Sequence, residues 1–306
     1  MNMIRTFRNG DVPALSELWI KHWSLLGPPP DVTPAKIEQA ILSRTFFDPT
    51  TMLLVESPNG IQGWCHYAID PLRAETAVIC AICLAPQSGS AGEDLLAETL
   101  DRIHSHNIRY IEVGLARDDR FGYVGLEPIG HGIGIPDESD RVTSLIADAG
   151  FAATRTYTRM NVATTTYRPP VSREAIQLRR STAITREPSL SEDTRRASAM
   201  SHMDVELHRL AGRDGKSLAE VTLWASDPEA EVMNAKHAIL DISRDHQCVD
   251  LDPTQAFLIA SILQMLAARQ IFSVETAIDS DQALLYEQLI SLRFDPQQHG
   301  TIWSKA

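Results

Sequence analysis

Between positions 66 and 92 the sequence gathers a histidine, a glutamate and a run of small residues that could together bind an anion and move a proton. The run Gln87-Ser88-Gly89-Ser90-Ala91-Gly92 is small enough for a phosphate to approach several backbone N–H groups at once. His66 carries an imidazole that titrates near neutrality and Glu75 a carboxylate, and either could accept a proton from an amine. Each has a plain alternative: a tight turn that binds nothing, a packed histidine, a solvated glutamate. Glu56 and Tyr123 are further, weaker bases.

The elements that would position these groups follow from local pattern. Residues 77–84, AVICAICL, hold no charge and are rich in β-branched and small apolar types, which predicts a strand buried on both faces and stopped by Pro86. Beyond the turn, Leu95, Leu96, Leu100 and Ile103 recur at helical spacing. The helix therefore begins at the turn, and its first N–H groups and positive dipole end point into it.

Gln87-x-x-Ser90-x-Gly92 resembles the Q/R-x-x-G-x-G/A signature of the GNAT superfamily of N-acetyltransferases, with Ser90 where the family usually has its first glycine. The resemblance implies that Gln87, Ser88, Gly89, Ser90, Ala91 and Gly92 grip the pyrophosphate of acetyl-CoA. It also implies that Ile82, Cys83 and Leu84 contact the pantetheine arm and polarise the thioester carbonyl. Glu75 sits one residue from the family's glutamate spacing, with Thr76 in register, so a bulge would be needed to turn it inward. Gly150-Phe151 matches the end of the family's A-x-x-L-Y-x-x-x-G-F region, but Ile146 stands where many members keep a phenol as general acid.

Taken in order, the chain reads as that fold. A strand near Ile4 is followed by a helix through Leu15, Trp19 and Trp23, ended by Gly27-Pro28-Pro29-Pro30, and a second helix opened by Thr33-Pro34. Strands 52–56 and 61–68 are joined by Ser57-Pro58-Asn59-Gly60. After a strand at 109–114, the glycine-rich apolar stretch 122–136 reads either as an insertion over the substrate side or as a packed loop. Thr164 to Pro170 is the expected boundary, giving domains at 1–167 and 172–306. The second half repeats the order with strands 205–210, 218–224, 238–242 and 272–278 and helices 255–268 and 282–292. It has no glycine between Gly215 and Gly300, and Asp250 and Asp252 before its long helix would repel a pyrophosphate. The fold class is thus α/β with a mixed sheet, as two tandem GNAT-like domains of which the second is degenerate, similar to the two-domain acetyltransferases of the mycothiol synthase kind.

Composition narrows the function. A formal net charge of −12 with no basic block argues against a nucleic-acid binder. The absence of a long apolar run argues against a membrane span and, with no signal-like segment, for a cytoplasmic protein. Cys80-x-x-Cys83 puts its side chains on opposite strand faces, and His104 and His106 lack partners at ligand spacing, so no metal is expected. The expectation is an acyl-CoA-dependent N-acetyltransferase taking its acyl group from acetyl-CoA and acting on a small-molecule amine, with the second domain shaping a cleft or forming a homodimer. The rival is a catalytically silent acyl-CoA sensor or assembly module.

Overall fold

The computed structural model describes residues 2–73, 75–117, 120–189, 191–244, 247, 248 and 250–306. The chain forms two compact units, Met1–Tyr157 with His299–Ala306, and Thr158–Gln298.

Unit 1 contains β1 (Met3–Thr6), α1 (Val12–Trp23), α2 (Pro34–Ile37, continued as a π turn to Leu42), β2 (Met52–Ser57), β3 (Gly60–Ile69) and β4 (Thr76–Leu84). It continues with α3 (Ala91–Ser105), β5 (Tyr110–Val113), β6 (Ile135–Pro136), α4 (Asp140–Asp148) and β7 (Ala152–Ala163) as far as Tyr157. Strands β1 to β4 are antiparallel neighbours and β5 runs parallel to β4. All nine residues of β4 are buried, because helices cover both faces. On one face Leu95, Leu96, Leu100 and Ile103 of α3 join Val142 and Ile146 of α4 in the core. On the other, Trp19 of α1 stacks on Trp64 of β3 with centroids 5.7 Å apart. Each such buried side chain contributes about 1.5–3 kcal/mol relative to exposure. Gly150, at φ +85°, ends α4 with the Phe151 N–H bonded to the Ile146 carbonyl, which is why Gly-Phe follows the helix.

Unit 2 contains the rest of β7, then α5 (Arg173–Ser181), β8 (Thr182–Pro188), α6 (Thr194–Ala199), β9 (Met203–Gly212), β10 (Ser217–Ser226) and β11 (His237–Asp241). The two-residue strands β12 (Ser243–Arg244) and β13 (Gln247–Cys248), α7 (Pro253–Leu266), β14 (Ser273–Asp279) and α8 (Ala283–Ser291) follow. Strands β8 to β11 are antiparallel neighbours and β14 runs parallel to β11, the plan of unit 1 over again.

Three features differ from expectation. The units part between Tyr157 and Thr158, not at 167/172. Thr164 is tied to Phe272 and Ile271 by its N–H and hydroxyl, and Tyr167 lies in the core of unit 2, so this stretch is packed rather than a linker. The C-terminal strand β15 (Asp295–Lys305) lends residues 299–305 to unit 1, where Trp303 pairs with Val113 and Gly300 with Pro136. Finally, α5 and β8 had no counterpart in the sequence reading: both are short and mostly exposed, and only Ala175, Leu178 and Ile184 rest, half-buried, on the core.

Candidate active site

Strand β4 is paired with β5 only from Thr76 to Ile79, where Ile79 lies opposite Val113 and its carbonyl accepts from the Gly114 N–H at 3.0 Å. Gly114, at φ +94°, turns the chain away there. The strand runs on five residues to Leu84, still paired with β3, whereas its pairing with β5 ends at Ile79. Register with β3 shifts between His66 opposite Ala81 and Tyr67 opposite Ile79, which makes Cys80 a β-bulge. A bulge and a divergence of neighbours thus coincide at one point of the sheet.

At that point His66 Nδ1 lies 2.6 Å from Tyr123 Oη, with both residues buried. The Tyr123 phenol is raised well above its ordinary pKa by burial. Phe47 is 5.6 Å from the His66 ring and Trp19 6.3 Å from Tyr123, between centroids, and the Trp19 indole donates to the Glu127 carbonyl at 2.8 Å. The glycine-rich stretch is therefore a packed loop: Tyr123, Leu126 and Ile129 are buried, and Gly130 and Gly134 lie so close to other backbone that a Cβ there would clash. Glu75 is elsewhere. It precedes β4 at φ +65°, its half-exposed side chain lies 3.5 Å from Arg109, and roughly 20 Å of strand separates it from Ala81 at about 3.3 Å per residue. The bulge needed to turn it inward occurs at Cys80 instead.

Ile82, Cys83 and Leu84 are buried along this last part of the strand. The Ala85 N–H bonds Gln62 across β3, so the Leu84 amide and carbonyl face away from that strand, and His22 Nδ1 of α1 lies 3.3 Å from each. Burial first, then the nearby Arg141 charge, hold the imidazole down to about 4, so it is neutral at pH 7.

Beyond Leu84 the turn takes shape. Ser88 and Ala91 spend their N–H groups inside it, on Ala85 and Ser88 carbonyls at 3.1 and 2.9 Å. The first intrahelical bond of α3 is from Asp94 to Ser90 at 3.0 Å, so the Gly92 and Glu93 amides precede it. Ser90 makes no side-chain cap, Gly89 adopts φ +52°, and Gln87 and Ser90 are exposed. Gly92 lies close under Leu84, so a Cβ there would sit 3.0 Å from Leu84 Cδ1 and press that side chain aside. The sequence reading missed Arg141, at the start of α4. Its guanidinium bonds the Ala85 carbonyl at 2.6 Å and the Ser88 hydroxyl, and no ion pair joins it among the described residues. Gly89, Gly92, Leu84, Arg141 and Leu145 line a cavity of about 600 Å³ between α3 and α4, with Glu93 and Asp148 as its acidic members.

The matching corner of unit 2 is closed by its own chain. Asp252 caps α7, its carboxylate accepting from the Thr254 and Gln255 N–H groups at 2.7 and 2.8 Å where an anion would bind. Gln288 of α8 takes both polar groups of Leu251, at 2.7 and 2.9 Å. Pro169, Pro170 and α5 side chains line what is left, about 270 Å³ against α7 and α8. Self-capping, beyond the charge repulsion expected from Asp250 and Asp252, makes this copy unfit for a pyrophosphate.

Among the described residues no group of three His, Cys, Asp or Glu could hold a metal, and no helix is long and apolar enough to cross a membrane. No family model matches the sequence, and no curated protein matches it. The fold, however, has solved counterparts. A tandem GNAT protein from the clavulanic acid biosynthesis pathway aligns over 100% of this chain and 98% of its own, with a TM-score of 0.69 at 13% identity. A GCN5-related N-acetyltransferase from Sphaerobacter thermophilus aligns over 99% and 95%, with a TM-score of 0.65 at 12% identity. The glucosamine N-acetyltransferase region of a fungal multi-domain GH3 β-N-acetylglucosaminidase gives a TM-score of 0.71 at 12% identity, the match covering 100% of this chain and 38% of that one. The chain has the tandem GNAT fold, a mixed α/β architecture in which each unit repeats one acetyltransferase-like plan.

Proposed function

We propose that the protein is an acyl-CoA-dependent N-acyltransferase whose first unit binds acetyl-CoA and acylates a small-molecule amine. The observation that carries this reading is the run of β4 beyond its last pairing with β5 at Ile79, leading without interruption into a small-residue turn and the first amides of α3. The residues present fit the group. Gly89, Ser90 and the Gly92 and Glu93 amides would hold its pyrophosphate, Arg141 would supply the missing positive charge, and Ile82 and Leu84 would pair with its pantetheine arm. When bound, acetyl-CoA supplies an acyl group activated as a thioester, to be taken by the amine as the thiol is released.

This chain's own groups do the rest. Main-chain donors of Ile82 to Leu84 would orient the acyl carbonyl, and the buried rings of Trp19 and Trp64, with half-buried Phe47 beside His66, would exclude water. A proton must leave the amine and another must reach the departing sulfur. We assign these to the His66–Tyr123 pair: His66 accepts, and Tyr123, a neutral phenol at working pH, donates in place of the phenol absent at Ile146. His22 yields the Leu84 amide as the arm arrives. Glu75, at its exposed turn, keeps no part in this assignment. The soluble, cytoplasmic setting, the absence of a resident metal and a homodimeric state belong to the same reading.

Calorimetry with acetyl-CoA tests the site. Wild type binds one equivalent, whereas Gly92→Trp, crowding Leu84 and Leu145, and Arg141→Ala, removing the charge beside the turn, bind at least tenfold more weakly. Equal binding by all three refutes the site. The rival, a silent acyl-CoA sensor, is favoured by Ile146 being wholly buried in the core. Thiol release across an amine library separates the two: tight binding without turnover on any amine selects the sensor.

A further inference from the structure

The cavity between α3 and α4 has two unlike ends. One lies at the small-residue turn, where Arg141 bonds the Ala85 carbonyl and the Ser88 hydroxyl. From there α4 presents Arg141, Ser144, Leu145 and Asp148 along one face, at i, i+3, i+4 and i+7, a run of about 10 Å at 1.5 Å per residue. Buried Leu96 and Leu100 of α3 join half-buried Leu145 as an apolar floor, and the exposed neighbours Ala97 and Ser144 are too small to cover it. At the far end stands the carboxylate of Asp148.

We propose that Asp148 reads the adenine ring of the acyl-CoA, accepting a hydrogen bond from its exocyclic amine while the ring lies over the leucines between the two helices. Asp148 thereby adds a base preference to the acyl-CoA reading, on which the assignment rests. Nothing in the fold accounts for this carboxylate. It is the last residue of α4, where the negative end of the helix dipole disfavours it, and it makes no hydrogen bond or ion pair among the described residues. The cation that such an end favours is Lys305, which donates to the neighbouring Ala149 carbonyl at 2.7 Å. Glu93, the cavity's other carboxylate, sits in the first turn of α3, where the dipole favours it. The order of features along the cavity is that of a nucleotide: a cation and helix amides for phosphate, an apolar floor for a flat ring, and a polar group beyond it. An ionised carboxylate only accepts, and adenine presents an amine where guanine presents an oxygen, so the far end selects adenine. A volume of about 600 Å³ lies within the ordinary range of ligand pockets.

Calorimetry of the full chain with acetyl-CoA and with its purine analogue, which lacks only the exocyclic amine, tests the assignment. Wild type binds acetyl-CoA at least fivefold more tightly than the analogue. Asp148→Ala brings the two within twofold of each other by weakening acetyl-CoA alone, and Ser144→Phe, which lays a ring over the leucines, weakens acetyl-CoA at least tenfold. Both replaced side chains are exposed, so far-ultraviolet dichroism is unchanged. Equal binding of the two ligands by wild type, discrimination that survives Asp148→Ala, or indifference to Ser144→Phe overturns the assignment and leaves the acyl-CoA reading standing. Failure of wild type to bind acetyl-CoA overturns both.

Discussion

Replacing His22 with phenylalanine removes the one imidazole wedged against the end of β4, and its consequence can be worked through in advance. In the folded chain burial holds the His22 pKa down to about 4, from an ordinary value of 6.5. Because the folded value is depressed, the unfolded chain binds the proton more readily, so this group lowers stability as pH falls from about 6.5 towards 4 and is without effect above pH 7. Integrating the difference in proton binding gives a loss of about 2.5 kcal/mol between pH 7.5 and pH 4.5. Urea denaturation of wild type and His22→Phe at those two pH values, followed by tryptophan fluorescence, measures it. Carboxylates that titrate in the same range are common to both proteins and cancel in the comparison. The variant starts lower at pH 7.5, since Leu84 loses its polar neighbour, but it declines less on acidification by about 2.5 kcal/mol. Parallel declines in the two proteins would show that His22 is not held neutral against Leu84, and the reasoning about the β4 edge would fail with it.

Tyr123→Phe deletes the hydroxyl 2.6 Å from His66 and is expected to lower kcat at least tenfold while leaving acetyl-CoA affinity within twofold; an unchanged kcat would remove the pair from the chemistry. Arg141→Ala should make acetyl-CoA binding less sensitive to salt as well as weaker, by about 1.5–3 kcal/mol, and an unaltered salt slope would count against a charge contact. Asp252→Ala removes the cap of α7 and should cost about 1–2 kcal/mol in the unfolding of unit 2 without touching acetyl-CoA binding in unit 1. Burial pushes the Cys65 thiol up to about 12 and Cys83 well above its ordinary value, so neither should react with a thiol reagent at pH 8 until denaturant is added; rapid labelling of either by mass spectrometry would contradict their burial.

What could be read from the sequence was set by local pattern. The uncharged run before Pro86 and the stripe through Leu95 and Ile103 specify β4 and α3 without reference to anything distant, and Gly150-Phe151 marks the end of α4 for a reason internal to that helix. The contacts that escaped notice join residues across long stretches of chain. Arg141 meets Ser88 across 53 positions, Tyr123 meets His66 across 57, and His22 meets Leu84 across 62. No periodicity announces such meetings. The misplaced bulge has the same origin: a shift of one residue between β3 and β4 is a property of the pair, and β4 alone gives no sign that it falls at Cys80 rather than near Glu75. In unit 2 the short strand β8 and helix α5 offer only a few apolar side chains to the core, too few for a clear period, and the capping of α7 by Asp252 was seen only as unfavourable charge.

Assembly from both ends of the chain has a consequence for how unit 1 comes into being. Its sheet lacks a member until residues 299–306 have emerged from the ribosome, and all of unit 2 is translated in the interval. At ~5–20 residues per second, β5 must wait on the order of ten seconds with an unpaired border, ample time for unit 2 to consolidate first. The sheet of the amino-terminal unit is therefore completed only after the other unit has been translated.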